Sequence, residues 1–234
     1  MTMKQKIQIA LGLLLLVVTI RTGYIFYQRH EANKPPAPQQ EVALPADYYV
    51  VPRRLRAYDL KSARHLMDQP VWVKQGYQIT YYPYKAATHR VDFSHEAGLL
   101  LPIEKLQITD VVMDAPPKGQ KQVMAVFAND DKMYAFPVGV QQDGEYQIFA
   151  DNIVFIQDPR ELYKHWPADV WTAINQHEVK PGMNQLQADF AVGMGVPDSG
   201  ENPKTVHYAN GGKPVIVVYQ DGKAVEIKPD KTSS

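Results

Sequence analysis

The chain has 234 residues, of which 45% are hydrophobic and 21% are charged, and its formal net charge at pH 7 is zero. This length predicts one or two domains. A neutral chain is not typical of a protein that binds nucleic acid through its charge. Because the sequence contains no cysteine, it can form no disulfide, no cysteine-ligated zinc site and no lipid-modified cysteine.

The N-terminal region is apolar and carries basic side chains. The run from Ile7 to Tyr27 is 21 residues long, enough for a helix to cross about 30 Å of hydrocarbon. Arg21 lies near one end, where it could reach the lipid headgroups. We predict that residues 1–30 form an uncleaved signal-anchor in the cytoplasmic (inner) membrane, with the C-terminal body in the periplasm. The alternative is a cleaved signal peptide with its apolar region at Ile9–Ile20.

Residues 31–45 are rich in proline. Four prolines lie among alanine, glutamine and asparagine, namely Pro35, Pro36, Pro38 and Pro45. Such a composition predicts a semi-rigid, extended linker without a core of its own.

The region 46–157 contains short stretches rich in β-forming residues, separated by turn sequences every 8–12 residues. Asn129-Asp130-Asp131-Lys132 and Asp143-Gly144 are turns of this kind. About six short strands at this spacing are typical of a small, closed β-barrel. We therefore predict an SH3-like antiparallel β-barrel in this region.

Residues 158–228 are predicted to form helices and a β-meander. Asp158 can cap a helix, with Pro159 at its first position and Glu161 completing a capping box. Further along, Pro181-Gly182 turns the chain into a helix from Met183 to Val192. Gly193, Gly195 and Pro197 end that helix, and three strands follow, joined by the turns Asn210-Gly211-Gly212 and Asp221-Gly222. Residues 229–234 are predicted to be a disordered tail.

This last region resembles the SmpA/OmlA (BamE-like) family between about residues 179 and 227. The matching residues are Val179, Gly182, Met183, Ala191, Gly195, Pro197, Tyr208, Val217, Tyr219, Asp221, Gly222, Lys223, Val225 and Ile227. The resemblance implies helices packed on a three-stranded meander, and an accessory role in the assembly of outer-membrane β-barrel proteins. The chain departs from the family in lacking a lipid-bearing cysteine and in carrying the additional predicted barrel.

No catalytic or metal-binding motif is present in the sequence. It contains no H-E-x-x-H, no G-x-S-x-G and no phosphate-binding glycine loop. Glu161 and His165 have the spacing of a helix pair, which we interpret as structural rather than as a metal site. We therefore predict no catalytic, cofactor-binding or metal-binding residues.

Exposed aromatic and apolar residues are the candidates for a partner-binding surface. SH3-like barrels bind peptides through exposed aromatic rings, and four tyrosines cluster here, with two apolar residues following the last helix. The candidates are Tyr77, Tyr81, Tyr82, Tyr84, Met194 and Val196. The alternative, which we favour for the tyrosines, is that the rings fill or cover a small core.

The sequence thus predicts an α+β protein with an N-terminal transmembrane helix, an SH3-like barrel and a helix-on-meander module. We expect a non-enzymatic binding or scaffold protein that acts on envelope proteins or an envelope polymer, without binding nucleic acid. One alternative is a hydrolase using carboxylates such as Asp110, Asp130 or Glu161, which would require two close carboxylates in a pocket. Another is an inhibitor that inserts the Met194–Ser199 loop into a partner's cleft.

Overall fold

A computed structural model of the protein describes residues 3–32, 44–74, 76–200 and 203–230. The chain divides into two compact units, Met1–Leu44 and Pro45–Ser234. The predicted proline-rich linker falls mostly on residues 33–43, outside the described residues, and so do the last four residues of the predicted tail. The predicted boundary at residue 158 lies within the second unit.

In the described part of the first unit, residues Met3–Ala32 form one helix, α1, of 30 residues. No helix in the described residues is long and apolar enough to cross a membrane. The predicted signal-anchor, and the single-pass inner-membrane location derived from it, are therefore wrong. The prediction joined Ile7–Ile20 and Tyr24–Tyr27 into one span, although Arg21, Thr22 and Gly23 between them are not apolar. The predicted periplasmic location of the rest of the chain was derived from this anchor, and it is therefore no longer supported.

The second unit is a mixed α+β structure with short helices. They are α2 (Leu60–Ala63), α3 (Ala150–Ile153), α4 (Pro159–Leu162), α5 (Ala168–Asn175) and α6 (Gln185–Val192), with 3₁₀ turns at Ala46–Tyr49, Arg64–Asp68 and Asn210–Gly212. The strands are β1 (Val71–Val73), β2 (Thr80–Lys85), β3 (Arg90–Val91), β4 (Gly98–Leu99), β5 (Lys105–Leu106), β6 (Ile108–Asp114), β7 (Lys121–Asn129), β8 (Lys132–Gln142), β9 (Glu145–Ile148), β10 (Val154–Phe155), β11 (Val196–Pro197), β12 (Lys204–Tyr208), β13 (Val215–Gln220) and β14 (Lys223–Pro229).

The largest sheet has seven antiparallel strands in the order β3-β2-β8-β7-β6, with β4 paired to β2 and β9 paired to β8. Its centre is the long hairpin β7–β8, which closes at the predicted turn with Asn129 opposite Lys132. No strand pairing between described residues joins β6 back to β3, so this sheet is open. Strands β10, β1 and β5 form a separate sheet. The predicted SH3-like barrel is therefore wrong, because the strands divide between two sheets.

The core beneath these two sheets is formed by side chains from both. Its members include Leu66, Val71, Leu100, Phe127 and Phe136, all of which are buried. Burying each large apolar side chain contributes about 1.5–3 kcal/mol. This core fixes the position of the β1 end and of α3, which provide one side of the candidate site.

The C-terminal part packs α5 and α6 against a four-stranded antiparallel sheet, in the order β11-β12-β13-β14. The predicted meander had three strands. The fourth is β11, which pairs Val196 with His207 and Pro197 with Val206. Helix α6 begins two residues later than predicted because Asn184 caps it, in a reciprocal pair of hydrogen bonds with Gln187.

The predicted glycine turns of this module have clear physical roles. Gly182 adopts φ +87, and its N–H donates to the carbonyl of Ala224 at 2.8 Å, so that the loop before α6 is fastened to β14. The β13–β14 turn places Asp221 and Gly222 at φ 50 and 74, as a tight hairpin requires. A Cβ atom on Gly195 would lie 2.4 Å from the side chain of Val206, so a larger residue there would force this side chain to move.

Candidate functional site

A pocket of ≈ 310 Å³ lies between the end of β1, helix α3 and helix α6. Lys74 follows β1 and Asn152 lies on α3, while one face of α6 provides the rest. Residues three and four apart on a helix share a face, and so the contributors from α6 are Leu186, Asp189 and Phe190, with Met194 just beyond the helix end. The pocket is apolar on one side and carries two ionisable groups. We call it the Asp189 pocket.

Asp189 is the most unusual residue of this pocket. Its Oδ1 atom is buried and has no hydrogen-bond partner among the described residues. Burial raises the pKa of its carboxyl group to about 6, although the Tyr208 hydroxyl, the Gly195 N–H and the Lys204 ammonium all act to lower it. The carboxylate is therefore charged at neutral pH while one of its oxygens has no donor.

Two buried tyrosines lie behind Asp189. The hydroxyl groups of Tyr208 and Tyr219 are 2.8 Å apart and form a hydrogen bond. Burial, together with the nearby Asp189 charge, raises the pKa of Tyr208 far above its ordinary value. Burial raises the pKa of Tyr219 to about 12. Both phenols therefore stay neutral and serve as polar packing groups rather than as bases.

Lys74 and Phe190 line the pocket from different elements, and the Phe155 ring lies close to both. The Lys74 ammonium lies 5.4 Å from the centre of the Phe155 ring, within the range of a cation–π interaction. The Phe155 ring in turn lies 5.7 Å from that of Phe190. Burial, followed by the charge of Arg54, lowers the pKa of Lys74. The pocket thus joins an aromatic wall to a cation that remains exposed.

The carboxylates proposed for hydrolysis lie apart from this pocket. Asp110 is on β6, where its carboxylate accepts the N–H of Val111 at 2.8 Å. Asp130 occupies the β7–β8 turn, and Glu161 is on α4. None of the three lines the Asp189 pocket, so the paired carboxylates that glycoside hydrolysis requires are not brought together there. Among the described residues, no group of three or more His, Asp or Glu side chains could hold a metal ion.

The four candidate tyrosines lie in three packed environments, of which Tyr82 and Tyr84 share one. Tyr77 has its ring 6.0 Å from that of His177. Tyr81 packs edge-on against Phe127 and Tyr134, and Tyr82 lies against Phe93. Tyr84 is buried, with its hydroxyl 3.1 Å from Nδ1 of His89. The rings therefore do not form one shared exposed surface.

Met194 and Val196, in contrast, are exposed and lie close together in the chain. Met194 is 50% exposed and lines the Asp189 pocket, and Val196 is 71% exposed. Val196 belongs to β11, which pairs on one side with β12. The Met194–Ser199 segment is consequently tied to a sheet edge, and its first residue, Met194, forms part of the rim of the pocket.

A second polar cluster joins distant parts of the second unit. One oxygen of Asp47 accepts hydrogen bonds from the side chains of His165 and Trp166, both at 2.6 Å, and the other accepts from Asn184 at 2.7 Å. Burial alone would raise the pKa of Asp47, but these hydrogen bonds hold it below its ordinary value. Because the cluster fastens residues 45–49 to the helices, we interpret it as structural.

Sequence reasoning missed Asp189, Lys74 and Asn152. One signal was available for Asp189, namely an acid on the apolar side of a helix. It lies between Ala188 and Phe190, and three residues after Leu186. An acid at such a position must be either buried or at an edge. Lys74 and Asn152 gave no signal because only long-range strand pairing brings them beside α6.

Comparison of the chain with protein-family models, curated proteins and solved structures found no match. The resemblance of residues 179–227 to the SmpA/OmlA family therefore stays a prediction.

Proposed function

We propose that this chain is a non-enzymatic binding protein, and that the Asp189 pocket holds an apolar side chain of a partner protein together with one hydrogen-bond donor. The observation that carries the proposal is the buried Oδ1 atom of Asp189, which has no partner among the described residues. Leaving a buried acceptor unsatisfied costs about 1–3 kcal/mol, and more when the group is charged. A donor supplied by a bound partner would recover part of this free energy.

The walls of the pocket suit an apolar side chain. Leu186, Phe190 and Met194 line it, and methionine adapts its shape to different partners because its side chain is flexible and polarisable. Val196, two residues after Met194, is exposed on the edge strand β11. Apolar walls combined with a few convergent polar groups are typical of binding sites.

Binding accounts for these residues better than hydrolysis does. The pocket contains a single carboxylate, and its neighbouring tyrosines are held neutral. A hydrolase of the class considered above would place a second carboxylate near the first. The SmpA/OmlA resemblance suggests the context, which would be an accessory role in the assembly or maintenance of the cell envelope, with an envelope protein as the partner.

Site-specific photo-crosslinking in cells would test this proposal. A photoreactive amino acid replaces Met194, and in a matched control it replaces Val225, an apolar residue on β14 that is 52% exposed. We expect a discrete crosslinked species from position 194 alone, identified by mass spectrometry.

The same experiment is repeated with Asp189→Ala in the chain that carries the photoreactive residue at position 194. The crosslink should disappear while the melting temperature shows that the protein is folded. Equal crosslinking from positions 194 and 225, or an unchanged crosslink with Asp189→Ala, would contradict the proposal.

A further inference from the structure

A cationic and aromatic segment precedes the first sheet of the second unit. Three arginines lie within four residues, flanked by exposed apolar and aromatic side chains. We call the segment the arginine strip, and it consists of Tyr48, Tyr49, Val51, Arg53, Arg54, Arg56 and Tyr58. Val51 is 82% exposed and Tyr58 is 75% exposed, although side chains of these types are usually at least partly covered.

The charges and the backbone of the strip are available for binding. The guanidinium groups of Arg53, Arg54 and Arg56 form no ion pair among the described residues. No backbone carbonyl of the described residues accepts the backbone N–H of Val51, Arg53 or Arg54. A guanidinium presents several donors in a fixed plane that matches a carboxylate. The three guanidinium groups and these three backbone N–H groups are therefore donors without an acceptor among the described residues.

The strip is held in place although it belongs to no helix or strand beyond Tyr49. The carboxylate of Asp151 accepts the N–H of Leu55 at 2.6 Å and that of Arg56 at 3.0 Å. Arg56 adopts φ 54, a left-handed conformation that a non-glycine residue rarely takes. Such a conformation costs about 1–3 kcal/mol and persists when surrounding contacts fix it. Asp151 thus fixes the direction in which the backbone presents the arginines.

A concave surface accompanies the charges. Val51, Pro52, Ile156 and the three arginines line a pocket of ≈ 700 Å³. It combines an apolar base with cationic walls, so that an occupant with acidic groups beside apolar side chains would be complementary to it.

We propose that the arginine strip binds an acidic segment of a partner protein. Carboxylates of that segment pair with Arg53, Arg54 and Arg56, and its apolar side chains contact Val51 and the neighbouring tyrosines. A nucleic acid is less suitable, because it needs a longer track of cationic contacts along its backbone, and this chain has no net charge. The proposal does not depend on the Asp189 pocket, since it rests on different residues.

Fluorescence anisotropy with the full chain tests the proposal. The probe is a short labelled peptide of alternating valine and glutamate, and a peptide with lysine in place of glutamate is its control. We expect saturable binding of the glutamate peptide alone. The double variant Arg53→Glu/Arg54→Glu should weaken it by at least about tenfold, because two attractive pairs become repulsive.

Two matched variants identify the source of any loss. Lys118→Glu/Lys121→Glu makes the same change in net charge at two exposed lysines, one before β7 and the other at its first residue. Met194→Asp alters only the rim of the Asp189 pocket. Both should bind the glutamate peptide as the wild type does. A similar loss in the lysine variant would overturn the proposal in favour of non-specific attraction. Absence of binding, or tighter binding of a single-stranded oligonucleotide of the same length, would also overturn it.

Discussion

Replacing Asp189 by asparagine tests the central feature of the candidate site. Burial raises the pKa of this carboxyl group from 3.8 to about 6, and each pKa unit corresponds to about 1.36 kcal/mol. The folded protein therefore binds the proton more tightly than the unfolded chain does. Protonation of Asp189 therefore stabilises the folded protein by about 3 kcal/mol. This stabilisation is fully present below the pKa of the unfolded chain and is lost as the pH rises through the pKa of the folded protein.

Asparagine cannot titrate, so this pH dependence should disappear in Asp189→Asn. Between about pH 4 and about pH 8, the free energy of unfolding of the wild type should fall by roughly 2.5 kcal/mol relative to that of the variant. Urea denaturation at several pH values measures both proteins. Comparing the slopes with pH removes any constant effect of the new amide group. Asp143→Asn, at the exposed β8–β9 turn, is the matched control for the loss of one charge.

A difference in stability between wild type and Asp189→Asn that stays constant from about pH 4 to about pH 8 would refute the reasoning. It would mean that the carboxylate is solvated in the folded protein or that its Oδ1 atom has a hydrogen-bond donor. The argument for an available acceptor in the pocket would then be lost as well.

Three further substitutions test the supporting structure. Gly182→Val should destabilise the protein by about 1–3 kcal/mol in thermal melts, because valine must adopt φ +87. The cost comes from the backbone conformation and not from a clash, since the added Cβ would meet no atom within 4 Å. Asn184→Ala should cost at least about 0.5–2 kcal/mol, because it removes the α6 cap and also the hydrogen bond that the Asn184 side chain donates to Asp47. His207→Gln should remove a pH-dependent contribution to the free energy of unfolding. Hydrogen bonds from the His207 ring to Asp230 and Asp198 raise the pKa of this residue. The stabilisation is therefore present below the ordinary histidine pKa and is lost as the pH rises through the raised pKa.

Each of these has an outcome that would count against it. An unchanged melting temperature for Gly182→Val would remove the turn assignment before α6. If Asn184→Ala costs no more than alanine at the exposed Asn152, the cap contributes nothing measurable. Parallel curves of stability against pH for His207→Gln and wild type would show that the two aspartates do not hold the imidazolium in the folded protein.

Features that depend on neighbouring residues could be predicted from the sequence. Asp158 caps α4 by accepting the N–H of Arg160 at 2.8 Å, as the Asp-Pro-Arg-Glu sequence indicates. The turns at Asn129–Lys132 and Asp221–Gly222 join strands as predicted. These features are fixed by dihedral preferences and hydrogen bonds within a few residues, and such information is present in the local sequence.

Features that depend on distant pairing could not be predicted. Tyr82 on β2 lies opposite Ala135 on β8, and Trp72 on β1 lies opposite Phe155 on β10. The number and length of strands do not specify these partners, and a barrel was therefore predicted where two sheets form. The same limit applies to the Asp47 cluster, in which Asp47 is more than a hundred residues away from each of its partners.

The Asp189 pocket combines both kinds of information. Local preference forms α6 and places Asp189 beside Leu186 and Phe190, while distant pairing brings Lys74 and Asn152 to the opposite side. A neutral residue at position 189 would avoid the cost of burying a charged group whose Oδ1 atom has no partner among the described residues, although it would change the hydrogen bonds from the Tyr208 hydroxyl and the Gly195 N–H. Packing thus accounts for one side of the carboxylate, and the Oδ1 atom without a partner among the described residues is the part that it does not explain. If Asp189→Asn stabilises the protein at neutral pH and Asp189→Ala abolishes crosslinking from position 194, the carboxylate lowers stability and serves binding, the compromise expected of a functional site.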